Sequence, residues 1–407
     1  MLRFLTAGES HGPGLVVILE GMPSGLDVDL DLVDQELRRR QEGYGRGQRM
    51  KIERDHAEVM SGLRRSRTLG SPIALVVHNR DWANWQRTMP VGPAPLETAT
   101  GPERPAVTRP RPGHADFAGA VKYDVTDLRD VLERASARET AARVAAGAFA
   151  RQLLARFGMS VASHVRRIGP AALDADRTVS AAEAAAIPAD APLRCVDPGV
   201  QASMVAAIDA ARVAGDTLGG EFEVIVSGVP VGLGSHVQWD RKLDGRLAQA
   251  MMSIPAIKGV GIGIGPEVAR LPGSAVHDEM LPGTGSIPDI ALSRPTNRAG
   301  GLEGGITNGE DLRVTGFMKP IATLMKPLRS VDLTTLADAP AAIERSDVCA
   351  VPAAAVVGEA MVCLVLADAF LERFGGDSVA AIDARVEDWR SRVRARFARG
   401  AAGGPAE

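Results

Sequence analysis

The chain is poor in the residues that announce the commoner kinds of binding protein. Its 407 residues hold three cysteines, Cys195, Cys349 and Cys363. That odd number has no metal-ligand spacing, so it supports neither a disulfide framework nor a metal site, and a reducing compartment, the cytoplasm, is expected. Aromatic residues make up 4% and the formal net charge is -3, which argues against a nucleic-acid binder with its basic excess and stacking platforms. No G-x-x-x-x-G-K-[ST] loop occurs, and the glycines from Gly259 to Gly265 have the wrong spacing for G-x-G-x-x-G, so neither a P-loop nor a Rossmann site is supported. No apolar stretch of signal-peptide length opens the chain. The most apolar run, Ala353 to Phe370, carries Glu359 and Asp368, which marks a buried core helix and no membrane partner. Lysine is scarce as well, at six residues among the 47 lysines and arginines. A single arginine is therefore weak evidence for anion recognition, and a lysine kept inside a motif is stronger evidence.

What remains is ordinary for a globular protein, 45% hydrophobic and 24% charged, and long enough to bury a large core. Two halves echo each other. Gly21-Met22-Pro23-Ser24-Gly25-Leu26 matches Gly228-Val229-Pro230-Val231-Gly232-Leu233, and each is followed by a helical pattern, with Val33 and Leu37 in one and Leu243 and Leu247 in the other. Gly62-Leu63 with Thr68 resembles Gly301-Leu302 with Thr307, and two long apolar helices end near Phe157-Gly158 and Phe374-Gly375. The expectation is an α/β (α+β) fold: a β-α-β sandwich with long buried helices between β-sheets and an internal pseudo-twofold duplication. One domain is expected over 1–397, with pseudo-repeats at about 1–160 and 215–377 and a disordered tail over 398–407. Irregular segments at 88–113, 185–198 and 281–305 have the length of binding loops, although the second also fits a spacer.

Five clusters carry candidate chemistry. In Arg134-Ala135-Ser136-Ala137-Arg138-Glu139-Thr140, Ser136 and Glu139 have capping-box spacing, so the following helix is expected to aim free N–H groups at an anion flanked by Arg134 and Arg138. His11, in Gly8-Glu9-Ser10-His11-Gly12-Pro13-Gly14, is a candidate general acid. Ser10 beside it is a poor nucleophile partner, because neighbours on an extended chain face opposite ways. Arg38 to Arg49 form either a solvated helix end or a carboxylate and phosphate clamp. The loop Arg109-Pro110-Arg111-Pro112-Gly113-His114 stiffens a second histidine. Paired glycines from Gly300 to Gly305 lead to Lys319 and Pro320, while Asp347 stands before the second buried helix as either a cap or an acid/base group.

The blocks GESHGPGL, RRRQEGYGRGQR, RPGHADFAGAVKY, ERASARETAARVAAG, SIPAIKGVGIG, TNRAGGLEGGITNG and RSDVCAVPAAAVVGEAM occur in order over roughly 1–377 and resemble the chorismate synthase family. The resemblance implies a shikimate-pathway lyase, a carbon–oxygen lyase acting on phosphates. It would convert 5-enolpyruvylshikimate 3-phosphate to chorismate with reduced FMN (FMNH2), and it would assemble as a homotetramer. By that resemblance His11 protonates the departing phosphate, His114 sits by the flavin and Asp347 manages its N5 proton. Ser10, Arg40, Arg46, Arg49, Arg111, Arg138 and Arg345 hold substrate. Arg134, Ala135, Ser136, Pro255, Ala256, Gly304, Lys319, Pro320, Ile321, Ala322, Thr323 and Arg345 hold FMN, and Arg40 and Arg46 meet NADP. Gly261 stands where the family often has Glu, and the stretch 324–328 is variable. No added oxidoreductase segment is visible, so reduced flavin is expected from outside, with NADPH as the alternative reductant. An anion-binding scaffold leaves His11, His114 and Asp347 unexplained. A flavin oxidoreductase, unlike an eliminating enzyme, would consume reductant at every turnover.

Overall fold

Strict alternation builds the first sheet. Along Gly14–Glu20 the side chains of Leu15, Val17 and Leu19 are buried and those of Val16 and Ile18 are exposed, the period of a strand with one wet face. Ile73, Leu75 and Val77 bury the same face from the neighbouring strand. The strand order is Arg3–Ala7, Gly14–Glu20, Ile73–His78, Glu58–Ser61, all antiparallel. The computed structural model describes residues 1–46, 54–188, 190–282, 290, 292–344 and 347–401.

The helices among these residues are α1 (Leu30–Gln41), α2 (Asp116–Tyr123), α3 (Arg129–Ala135), α4 (Thr140–Arg156), α5 (Ala181–Ala185), α6 (Pro198–Ala214), α7 (Leu243–Met252), α8 (Gly273–Val276), α9 (Val351–Phe374) and α10 (Val379–Ala401). α4 packs on the first sheet with α1 beside it, and α9 packs on α4 and on a second antiparallel sheet. That sheet runs Ile257–Ile262, Leu312–Met318, Gly220–Ser227, Ser160–Ile168 and Ala171–Ala172, with α5 and α6 on its far side. The molecule is therefore mixed α and β, with its two most apolar helices at the centre. α9 is the one helix among the described residues long and apolar enough to cross a bilayer, and it lies inside the protein core.

Small residues let those helices meet. A Cβ on Gly147 would lie 2.4 Å from the Ala360 Cβ and 2.6 Å from its Cα. Phe157 meets Phe370 one end further on, with ring centroids 4.7 Å apart. Both pairs ascend together in number, so α4 and α9 run side by side in the same direction.

The two halves carry the same latch. Thr68 Oγ1 donates to Pro23 O (2.6 Å) and accepts from Leu26 N (2.9 Å), while Gly25 N and Leu26 O bond the Thr68 backbone. Thr307 repeats this on Pro230 O (2.6 Å), Leu233 N (2.8 Å), Gly232 N and Leu233 O. Leu69 N to Gly62 O and Asn308 N to Gly301 O complete the correspondence, each at 3.0 Å.

Two local expectations give way. The capping box does not close: Ser136 caps only a 3-10 turn through Arg138 N, and Glu139 turns forward to Arg143 at i+4. An available guanidinium one turn on outcompetes a backbone N–H for that carboxylate. The first residues of the expected tail, 398–401, belong to α10.

Candidate active site

Glycine sets the turn that carries His11. Gly8 has φ 104°, and a Cβ there would lie 2.3 Å from Gly14 O, so the two strands can turn this tightly only without a side chain. Ser10 N donates to Glu133 O (3.0 Å), and His11 N donates to Glu133 Oε2 (2.8 Å). The His11 Nδ1 lies 2.9 Å from both Glu133 oxygens, and the ring stacks on Trp85 with centroids 3.7 Å apart. Asn79 clasps the turn from the next strand end, donating to Glu9 O (3.0 Å) and Gly12 O (2.8 Å). Its Oδ1 accepts from Arg138 Nε at 2.9 Å, so one amide couples the histidine turn to an arginine.

That arginine belongs to a buried cationic cluster. Arg138 Nη1 pairs with Asp55 at 2.6 Å, and Arg40 donates to Thr140 Oγ1 (2.9 Å) and Ala137 O (3.0 Å). The Arg40 Nη1, 3.6 Å from Asp55, has no hydrogen-bond acceptor among the described residues. Burial, with Arg138 and Arg46 adding to it against Asp55 and Asp347, pushes Arg40 down to about 10. Arg46 pairs with Asp347 at 2.7 Å, and Val348 N donates to Gly45 O at 2.8 Å, which docks the arginine loop on the head of α9. Among the described residues three guanidiniums, Arg40, Arg46 and Arg138, thus meet two carboxylates, Asp55 and Asp347, and the Arg40 Nη1 offers a donor to an anion.

A second group lies alongside. Asp116, at the start of α2, accepts from Arg111 Nε (2.8 Å) and meets His114 Nδ1, while Arg111 Nη1 donates to Thr323 Oγ1 (2.9 Å). Burial would raise the Asp116 carboxyl, but its hydrogen bonds to His114 and Arg111 hold it well below the usual carboxylate range. Lys319 Nζ donates to Gly113 O and Lys319 N to Ala256 O, each at 2.9 Å. Burial and the neighbouring Lys258 push the Lys319 ammonium down. Ala256 is held at φ 70°, a strained conformation for a residue with a side chain. Thr217 Oγ1 to Ile321 O (2.8 Å) and Leu218 N to Val348 O (2.9 Å) join this group to the head of α9.

The structure therefore gathers Ser10, His11, Arg40, Arg46, Arg138 and Asp347, and alongside them Arg111, His114, Ala256 and the segment 319–323. Ser136 Oγ donates to Ser10 Oγ at 3.2 Å. Arg134 does not flank an anion with Arg138, because its guanidinium is spent on Gly8 O, Thr6 O and Thr6 Oγ1. Gly304 lies elsewhere. It sits at the tip of the Leu302–Glu303/Ile306–Thr307 hairpin, which the Thr307 latch joins to Gly232, where Arg373 donates at the far end of α9. Arg49 and Arg345 lie outside the described residues. Glu133, Trp85, Asn79, Asp55, Asp116 and Thr217 are additions. Only Asp116 was within reach of the sequence, two residues after His114.

A family model described as chorismate synthase matches residues 2–371. The chain belongs to the chorismate synthase family. Chorismate synthase of Symbiobacterium thermophilum is 59% identical over 386 residues, covering 93% of this chain and 96% of that protein. Chorismate synthase of Moorella thermoacetica is 58% identical over 393 residues, with 96% and 98% covered. A solved structure described as a crystal structure of chorismate synthase is 42% identical, superposes with a TM-score of 0.75 and covers 97% of this chain and 98% of its own.

Proposed function

We propose that this chain, a lyase of the shikimate pathway by its family, eliminates phosphate from 5-enolpyruvylshikimate 3-phosphate in the trans-1,4 sense with reduced FMN and releases chorismate. The observation that carries the reading is the buried Arg40 Nη1, without an acceptor among the described residues, in the arginine cluster that Asn79 couples to a histidine seated on Glu133. Arginine forks suit the phosphate and carboxylates of such a substrate, and His11 next to them can give a proton to the leaving oxygen. The second group fits FMN. Burial and the neighbouring Lys258 disfavour the Lys319 ammonium, which a flavin phosphate would relieve, and Gly113 and Ala256 present backbone where a flat ring can approach. Pro255, Pro320, Ile321, Ala322 and Thr323 would line that cradle, with Ala135 and Ser136 opposite. When bound, reduced flavin supplies an electron that lowers the barrier to losing a ring hydrogen of little acidity. His114, held by Asp116, would orient the flavin edge, and Asp347, paired with Arg46, would hold a proton near its N5.

Arg40 and Arg46 would also meet NADPH if the enzyme reduces its own flavin. We favour an outside source, and anaerobic turnover with FMN and NADPH alone would overturn that choice. A homotetramer is supported by the open apolar face of the first sheet. One domain over 1–397 with a duplicated core is supported by the repeated threonine latch. Three free, buried cysteines fit the cytoplasm. The test is anaerobic: purified protein, substrate and chemically reduced FMN should release phosphate in step with chorismate absorbance, without net reductant consumption. Phosphate release that requires one equivalent of reductant per turnover would sink the proposal.

A further inference from the structure

We infer that Glu133 is the positioning residue of the proton donor: it fixes His11 with a proton on Nδ1, so that Nε2 is the nitrogen that serves the departing phosphate. The inference rests on the proposed elimination and on His11 as its acid. Glu133 is 1% exposed, and both its oxygens reach Nδ1 at 2.9 Å. An ionised carboxylate only accepts, so Nδ1 must carry the hydrogen whether the ring is neutral or charged. Turning the ring over would set carbon against the buried carboxylate.

The ring is also clamped on its face. Trp85 stacks on it at 3.7 Å, and Trp85 is backed by the Arg104 guanidinium at 4.1 Å, with Arg129 at 5.5 Å. Arg129, one turn earlier on α3, has Nη1 3.9 Å from Glu133 Oε1, so the carboxylate has a countercharge beside it in addition to the imidazole. In the reaction the C–O bond breaks with its electron pair left on the phosphate oxygen, and the Nε2 proton moves to that oxygen. The imidazole is left neutral with Nδ1–H still on Glu133, ready to be reprotonated at Nε2.

A purely structural role for Glu133 is to tie the turn to α3 through Ser10 N and His11 N. Glutamine can fill that role, because its carbonyl also accepts. E133Q therefore separates the two roles. In the full-length protein with substrate and chemically reduced FMN, we expect E133Q to lower kcat by ~10²-fold. We expect KM to stay within about 3-fold and the double variant H11A/E133Q to be no slower than H11A alone. A near-normal kcat for E133Q, or losses that add in the double variant, would overturn the inference. Nitrogen-15 NMR of the histidine-labelled wild type, assigned by the signal lost in H11N, should show Nδ1 protonated through the neutral range. A bare Nδ1 would overturn the inference whatever the variants' folding. A wild type that releases no phosphate would sink the elimination instead, and the Nδ1 signal would still judge Glu133.

Discussion

Asn79 makes three side-chain hydrogen bonds, two to the turn around His11 and one from Arg138. His11 and Arg138 are thereby held by a side chain that touches neither flavin nor substrate in the proposed reaction. His11 is the acid of the proposed reaction, so His11→Ala should lower kcat by ~10²-fold, read as phosphate release. A near-wild-type rate would remove it from the mechanism. His11 is visible in the sequence because glycines crowd it. Glu133 is not, because it is 122 positions away and its value lies in a contact that only folding creates. Its neighbour Arg134 illustrates the converse, a side chain with the right chemistry used up by three carbonyl and hydroxyl oxygens.

At the scale of the element, α9 carries the most charged contact in the core. Glu359, fully buried, meets Arg39 of α1 (2.9 Å), Arg151 of α4, Arg194 (3.4 Å) and Ser163 Oγ. Burial would raise its carboxyl, but the Arg39, Arg151 and Arg194 guanidiniums overcome this and hold it below the ordinary 4.5. A depressed acid contributes stability that is complete above its unfolded value and is lost as the pH falls through its lower folded value. The stability that Glu359 contributes should therefore be complete above about pH 4.5 and decline as the pH falls below it, read as the denaturant midpoint against pH. Glu359→Ala should unfold about 3–5 kcal/mol more easily in denaturant at neutral pH, because three guanidiniums lose their counterion. Unchanged stability would show that water reaches them. Gly147 makes a separate demand, since any Cβ there drives α4 into Ala360. Gly147→Val should lower stability by about 1–3 kcal/mol, checked by the same unfolding measurement. Apolar runs made these helices legible from sequence. Their exact heads were not, because Glu139 prefers Arg143 to its own cap.

At the scale of the whole molecule, the outer face of the first sheet is an exposed apolar surface among the described residues. Leu5 (73% exposed), Ile18 and Met60 (61%) stand with Val16 on the outer face of the first sheet, a patch suited to self-association. Leu5→Glu with Ile18→Lys should reduce the sedimenting mass while leaving the monomer folded. An unchanged assembly would put the contact elsewhere. The matching turns were legible because Gly and Pro recur at corresponding places, and each of them carries a threonine latch. The layering of the sheets was legible only in outline, since pairing order depends on contacts between distant strands. The parallel course of α4 and α9 has one last consequence. Two neighbouring helices aligned head to head place their partial positive ends together, and Arg156 and Arg373 answer only the opposite ends. Occupancy by a small oxyanion should then tighten the entire scaffold, not just its pocket. Millimolar inorganic phosphate should raise the melting temperature by a few degrees, an effect that chloride at equal ionic strength should not reproduce.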